Sequence, residues 1–273
     1  MQTQELFTAA NIALSLSFLF YASWSDYKTR EVSNRVWAIY APIALVLSLA
    51  NFLIYEPSRL PLFGLSVGVT CGIAILLFYT GGFGGADSKA LMCIAVALPF
   101  STQALIMPLL PNGASPLAQV LFPLTIFSNA VLFAALSCVY LLLYNVAWHK
   151  KTGRKIFEGT LSKESALKKL TALITGRRFP ISQLKAKWHV YPMEDLEDGN
   201  GENPLKRKLV VVPKDEGRDE MVARLSNAVD AGKIDSHVWA TPGLPMLIFV
   251  TVGLVVALFF GDIVWVLINA LLA

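Results

Sequence analysis

Two aspartates stand where apolar runs meet polar stretches, Asp26 in the segment 25–35 and Asp87 in the glycine-dense segment GGFGGADSK over residues 81–89. A carboxylate beside lipid is costly, about 2.5 to 3.5 kcal/mol for an aspartate at a helix centre, so one kept at a membrane boundary is a functional candidate. Asp87 could also simply cap the helix that begins at Ser88, since Asp is a favoured N-cap residue. Gly81, Gly82, Gly84 and Gly85 argue for more than a cap. A cap needs no bare backbone, whereas a site that brings a substrate close does, and these glycines could line the path by which one is admitted. Two carboxyls that approach closely cannot both ionise, so one keeps a proton while the other deprotonates a water. That water attacks a scissile carbonyl, and the protonated partner supports the oxyanion and then the leaving amine. This chemistry asks for no metal and no cofactor. Serine or cysteine nucleophiles find no support, because His149, His189 and His237 all fall in one polar segment and pair with neither. Cys71, Cys93 and Cys138 lie in apolar runs without CxxC spacing and read as small hydrophobes.

The elements that must hold these aspartates are membrane helices. Of 273 residues, 55% are hydrophobic and 15% charged, and the charges are gathered into a few segments, which describes a membrane protein with one soluble insert. Apolar runs cover residues 6–24, 36–55, 60–80, 90–107, 117–148 and 244–267. The fifth exceeds one straight span and is expected to tilt, bend near Pro123, or project into the cytoplasm as a helix. Asp262, in the outer part of the last run, reads as a residue of the outer headgroup boundary. The first run follows Glu5 and precedes Lys28, Arg30 and Arg35, which is not the pattern of a cleaved signal peptide. Of 23 basic residues, 18 lie between Lys150 and Lys233, and a layout with both termini outside leaves Arg59 alone on the outer side. Six transmembrane helices, with Asp26 and Asp87 on the cytoplasmic face, follow from that partition.

The expected domains are residues 1–148 with five helices and both aspartate loops, a cytoplasmic α+β insert at 149–240, and a sixth helix in 241–273. Within the insert, 162–175 has helical spacing closed by Gly176, and 219–231 is helical and closed by Gly232. Residues 187–191 and 208–212 are strand candidates, each ended by a proline, and 194–203 reads as a solvated acidic turn. Basic residues are not interleaved with aromatics, so nucleic acid is not an expected partner, and attraction to anionic membrane lipid accounts for the positive excess.

The stretches DYKTREVSNRVW at 26–37 and GGADSKAL at 84–91 resemble the two signatures of prepilin and preflagellin peptidases, the GxGD aspartic proteases of membranes. The resemblance puts Asp26 and Asp87 in the catalytic positions and Arg30, Asn34, Trp37 and Lys89 in a supporting shell. Ala86 stands where the strict pattern has glycine, which is similar to archaeal members, as is an insert ahead of a helix introduced by TPGLP at 241–245. A single-span preflagellin or pilin-like precursor, cut at the cytoplasmic membrane boundary to remove a short basic leader, is the implied substrate. One rival class is the presenilin and signal-peptide-peptidase proteases, whose first aspartate follows a tyrosine well inside a helix, whereas Ser25 precedes Asp26. Another is a small transporter subunit whose intramembrane acids bind cations, which an internal repeat would favour and none is evident. Cysteines placed at positions 28 and 89 are expected to react with an impermeant maleimide from the same face of the membrane. Labelling from opposite faces would end the topological argument.

Overall fold

The computed structural model describes residues 3–102, 105–110, 113–197, 206–210 and 217–272, which form two compact units, Met1–Ala134 with Pro245–Ala273 and the intervening Ala135–Leu244. In the first unit α1 (Thr3–Thr29) leads through a short loop to α2 (Asn34–Tyr55), and a 3-10 turn at Pro57–Arg59 opens α3 (Leu60–Tyr79). Then come α4 (Gly85–Ala97), α5 (Pro116–Val120), α6 (Phe122–Thr152) and, after the second unit, α10 (Met246–Phe259) and α11 (Ile263–Leu272). The unit boundary falls inside α6, ahead of the expected division at residue 148. Among the described residues four helices are long and apolar enough to cross a membrane, or five counting the bent pair α10 and α11 as one span, so the chain is a multi-pass membrane protein.

The fourth apolar run, expected over 90–107, makes a helix of only 13 residues. At a rise of about 1.5 Å per residue it reaches about 20 Å, short of a bilayer core of about 30 Å. It stops at Leu98 because Pro99 follows, and the residue before a proline is pushed out of the α region; Leu98 has φ −132° and ψ 65°. The Pro99 carbonyl is not stranded, since Ser66 Oγ and the Phe122 N–H donate to it at 3.1 and 3.2 Å. The fifth run breaks at Leu121, ahead of the expected bend at Pro123. A proline in the first turn of a helix removes no intrahelical bond, so Pro123 is accommodated and the kink falls before it. The last run bends by 66° between α10 and α11. Asp262, expected at the outer headgroup boundary, sits at this bend. It is buried at the break, where its Oδ1 accepts the Trp265 N–H at 3.0 Å and its own N–H donates to Gly113 O at 2.9 Å.

α4 is the centre of this unit and packs on α1, α2, α3 and α10. Ala90, Cys93 and Ala97 recur at helical spacing and are buried, and small side chains of this kind let membrane helices approach closely. Side-chain hydrogen bonds tie the neighbours together. Ser48 Oγ of α2 donates to Val96 O of α4 at 2.7 Å and accepts from Asn11 Nδ2 of α1 at 3.1 Å. Tyr40 OH donates to Ser15 Oγ at 2.7 Å, and Ser23 of α1 meets Thr251 of α10 at 2.7 Å.

The second unit holds α7 (Ala166–Thr175), β1 (Arg177–Pro180), α8 (Ile181–Ala186), β2 (Tyr191–Pro192), β3 (Glu194–Glu197), β4 (Lys206–Leu209), α9 (Arg218–Asp230) and β5 (His237–Thr241). One antiparallel sheet has the order β1-β5-β2, with Arg177 opposite Ala240 and Tyr191 opposite Thr241; β3 pairs with β4. Phe179, Leu184, Val190, Leu225 and Val238 form its principal core. Both expected helices are present, the first beginning at Ala166 after a 3-10 turn at Gly159–Lys163. The strand expected at 187–191 is confined to Tyr191, and of the strand expected at 208–212, residues 211 and 212 lie outside the described residues. Residues 194–197 form a strand instead of the expected turn, whose remaining residues 198–203 also lie outside the description. The reason is Glu194, which is fully buried and accepts Arg207 Nη2 at 2.6 Å and the Trp239 N–H at 2.6 Å. Burial pushes its carboxyl up, while Arg207 and the Trp239 N–H act in the opposite direction.

Asn129 of α6 closes the break before α11: its Nδ2 donates to Gly261 O at 2.9 Å and its Oδ1 accepts the Ile263 N–H at 3.1 Å. Asn129→Leu keeps the branching at Cγ but orphans the buried Gly261 carbonyl and the half-buried Ile263 N–H and is expected to cost about 2 kcal/mol or more. Ser17→Ala, at an exposed hydroxyl bonded only to Ala13 O, is the near-neutral control. Thermal unfolding in detergent measures both.

Candidate active site

Asp26 lies in the last turn of α1, and its carbonyl accepts the Arg30 N–H at 2.9 Å, which ends the helix. Ser25 Oγ donates to Glu31 O at 2.7 Å, and Thr29 Oγ1 lies 2.9 Å from Ser25 O and 3.1 Å from Glu31 O. Two hydroxyls thus hold Glu31, Ser25 at its carbonyl and Thr29 at its carbonyl and its N–H, the latter at 3.4 Å, and fix the loop against the helix that carries Asp26. Ser33 then caps α2, accepting the Arg35 N–H at 3.3 Å.

Asp87 is delivered by a different route. α3 ends in a turn in which Gly81 takes φ +75°, a conformation that suits glycine, and the N–H groups of Gly82 and Phe83 both return to Leu77 O. Gly84 then caps α4, and Asp87, three residues on, turns its Oδ2 back to the Gly84 N–H at 3.1 Å. Asp87 is thus not the N-cap of a helix from Ser88, as expected: the helix begins at Gly85 with Gly84 as its N-cap, and Asp87 bonds back to that cap from the third helical position. A Cβ on Gly84 would lie 3.0 Å from Asp87 Oδ2, so glycine leaves that carboxylate its place. Gly82 and Gly84 are exposed and Gly85 half-buried beside Phe78.

These two loops meet in one electrostatic site. Asp87 precedes the apolar part of a helix too short to span, and burial pushes its carboxyl up to about 6; the Gly84 N–H opposes this, the charge of Asp26 adds to it, and Arg30 opposes it. Arg30 also acts on Asp26, so one guanidinium serves both carboxyls. Lys89 Nζ donates to Asn34 Oδ1 at 2.7 Å, tying the first turns of α4 and α2 together. Trp37 does not join them. It is buried in the helix core, in the same cluster as Tyr40 and Ala90. Among the described residues no cluster of His, Cys, Asp and Glu could hold a metal ion. A polar cavity of about 260 Å³, lined by Gln4, Asn11, Asn51 and Glu56, lies at the far ends of α1 and α2 and takes no part in this site.

Sequence reasoning missed the Ser25 and Thr29 clasp. Its signal was available, as hydroxyls one residue before Asp26 and one before Arg30 in a helix-ending segment that compete for backbone groups.

Comparison with known proteins is consistent over almost the whole chain. A model of the type IV leader peptidase family matches residues 13–144, and a model described as archaeal peptidase A24 C-terminus type II matches residues 168–263. The preflagellin peptidase of Methanococcus voltae is 28% identical over 255 residues, covering 92% of this chain and 94% of the relative. That of Methanococcus maripaludis (strain C6 / ATCC BAA-1332) is 22% identical over 249 residues, covering 89% and 92%.

The Lys89 to Asn34 bond is expected to couple the two loops. Lys89→Met and Asn34→Ala should each lower activity, and the double variant should fall short of their sum by about 0.5 to 3 kcal/mol, read as ratios of kcat/KM. Full additivity would mean that the bond contributes nothing to the site.

Proposed function

Because this chain belongs to the type IV leader peptidase family, we propose that it is an aspartic endopeptidase that removes the leader peptide of preflagellins or related pilin-like precursors. The observation that carries the aspartic assignment is that Asp26 and Asp87, from loops 61 residues apart in sequence, lie within electrostatic reach of each other and of one arginine. In this mechanism Asp26 is the ionised partner and takes a proton from water as the water oxygen attacks the scissile carbonyl carbon. Asp87 gives its proton to the carbonyl oxygen. Collapse of the resulting gem-diol breaks the C–N bond: the proton held by Asp26 goes to the leaving nitrogen, and one diol hydroxyl gives its proton back to Asp87 as the carbonyl reforms, which restores the pair. Arg30, Asn34 and Lys89 support the two loops, Trp37 supports them through the core, and the exposed glycines leave room for an extended peptide.

The layout we infer is six passes with both termini outside. The fourth pass is α4 with the chain that follows it, and the sixth is the bent pair α10 and α11. Leu98, Phe100 and Thr102 are buried, and irregular backbone at membrane depth is tolerated where protein covers it. Residues 1–148 and 241–273 form the membrane body and 149–240 the cytoplasmic insert. The partition of basic residues supports the active site at the cytoplasmic face, within reach of a peptide bond at the membrane boundary. The single-span substrate would be cut before its apolar helix begins, with surrounding lipid holding a basic leader near the surface.

The test is cleavage of a leader-bearing preflagellin by the purified protein, with sequencing of the new amino terminus. Asp26→Asn and Asp87→Asn should each abolish cleavage, and the double variant should be no worse than either single one. Asp262→Asn should keep substantial activity. Since Asp87 surrenders its proton as pH climbs through about 6, kcat/KM should decline above that pH. Folding moves the other way from the usual carboxylate. A group harder to ionise in the folded state weakens the fold as pH rises from 3.8 through about 6, so Asp87→Asn should keep or raise the melting temperature at neutral pH while losing activity. A cut in the middle of the transmembrane helix would instead indicate presenilin-like proteolysis.

A further inference from the structure

Among the described residues, Arg30 is the one non-glycine residue with positive φ, at +59°. It follows the last residue of α1 and its N–H closes on Asp26 O, which is the position after a helix where glycine is the favoured residue because a side chain there is strained. Glycine would make the same turn without strain. A turn alone does not explain an arginine, and Lys28 already places positive charge in the last turn of α1, where the helix dipole favours it. Strain of this kind persists when surrounding structure over-determines it, and it marks functional sites. Here the surrounding structure is the clasp, with the Ser25 and Thr29 hydroxyls both directed to the carbonyl of Glu31. The peptide before Arg30 is fixed to Asp26 O, the Glu31 N–H of the peptide after it lies 3.4 Å from Thr29 Oγ1, and the Glu31 carbonyl one peptide further is held by Ser25, so the backbone conformation is imposed from both ends.

We propose that Arg30 is a positioning residue for the aspartate pair, held by the Ser25 and Thr29 clasp in a left-handed conformation that keeps its guanidinium within Coulomb reach of both Asp26 and Asp87. This rests on the aspartic reading above and adds to it what sets the protonation of the pair. Without a cation, an ionised Asp26 and the burial of Asp87 both hold the second proton in place. Arg30 loosens that hold, so that the proton on Asp87 is available to the carbonyl oxygen of a bound peptide. The other charged groups around Asp87 do not substitute for it. Lys89 is engaged by Asn34, Arg35 is exposed at the start of α2, and α3 and α10, which also pack on α4, carry no charged side chain. α3 offers only Cys71 and Tyr79 as titratable groups.

Arg30→Gly separates backbone from side chain, because glycine fits the turn. The variant is expected to melt at or above the wild-type temperature, to cleave about tenfold or more slowly, and to shift the upper limb of its pH profile upward by about one unit. Arg30→Lys should restore the position of that limb with an intermediate rate. Ser25→Ala with Thr29→Val, which frees the clasp and keeps the charge, should shift the limb in the same direction as Arg30→Gly. A substrate-free measurement runs in parallel: infrared titration of the protonated carboxyl band, assigned to Asp87 by its loss in Asp87→Asn, should move upward in Arg30→Gly. If wild type cleaves no leader-bearing precursor, the proteolytic reading fails and the infrared titration still decides the role of Arg30. An unmoved band and pH limb in Arg30→Gly, or loss of activity that Arg30→Lys does not relieve, would overturn the proposal.

Discussion

Two carboxyls that share one site and one cation set the terms for the rest of the membrane unit. Mutual repulsion and burial both resist the second negative charge, so the pair can exist only where the backbone fixes it. Each aspartate is accordingly bonded into its own helix end: Asp26 through its carbonyl to the Arg30 N–H, Asp87 through its side chain to the Gly84 N–H. Neither position depends on contact with the other. The site is assembled from two separately determined turns, and a mobile tether is not needed to hold either carboxyl.

What brings the two turns together is the burial of α4. A short helix surrounded by four others can set its first turn against the ends of its neighbours, which a full-length span packed on one side could not do. Its depth is fixed at the far end by Pro99 and along its length by the Ser48 bond to Val96 O, and the Lys89 bond to Asn34 fixes the near end. Since lipid is as apolar as leucine, burial of apolar surface contributes little to such positioning, and close packing with hydrogen bonds supplies it. The Ser23 and Thr251 contact plays the equivalent part between α1 and α10.

The same need for satisfied backbone explains the irregular places. A helix that stops inside an apolar body leaves carbonyl and N–H groups without water, and each break here has a polar residue set against it. Ser66 serves the end of α4, and Asn129 and Asp262 serve the start of α11. Asp262 thus illustrates that an acidic residue within an apolar run can be wholly structural, and its geometry separates it from Asp26 and Asp87 more clearly than its position along the chain.

The sequence by itself determined the membrane class, the apolar runs, both aspartate loops, the helix over Ala166–Thr175 and the helix over Arg218–Asp230. These are local properties, legible in run length, charge partition and helix-ending glycines. It also determined that Lys89 and Asn34 belong near the aspartates, through the resemblance of two short stretches. Tertiary structure alone decided that the fourth run would stop at Leu98, that the last would bend at Asp262, and that Trp37 would enter the core. Apolar runs carry no contrast between faces, so the sequence does not say which face is buried or where packing ends a helix. The second unit failed to be read for a related reason: β1 pairs with β5 across about 60 residues and its strands are too short for alternation to show. Glu194 became a strand residue because a distant arginine and a tryptophan N–H receive its charge. Likewise the left-handed turn at Arg30 is invisible in the residue itself and comes from hydroxyls that close around its neighbours only when the chain is folded.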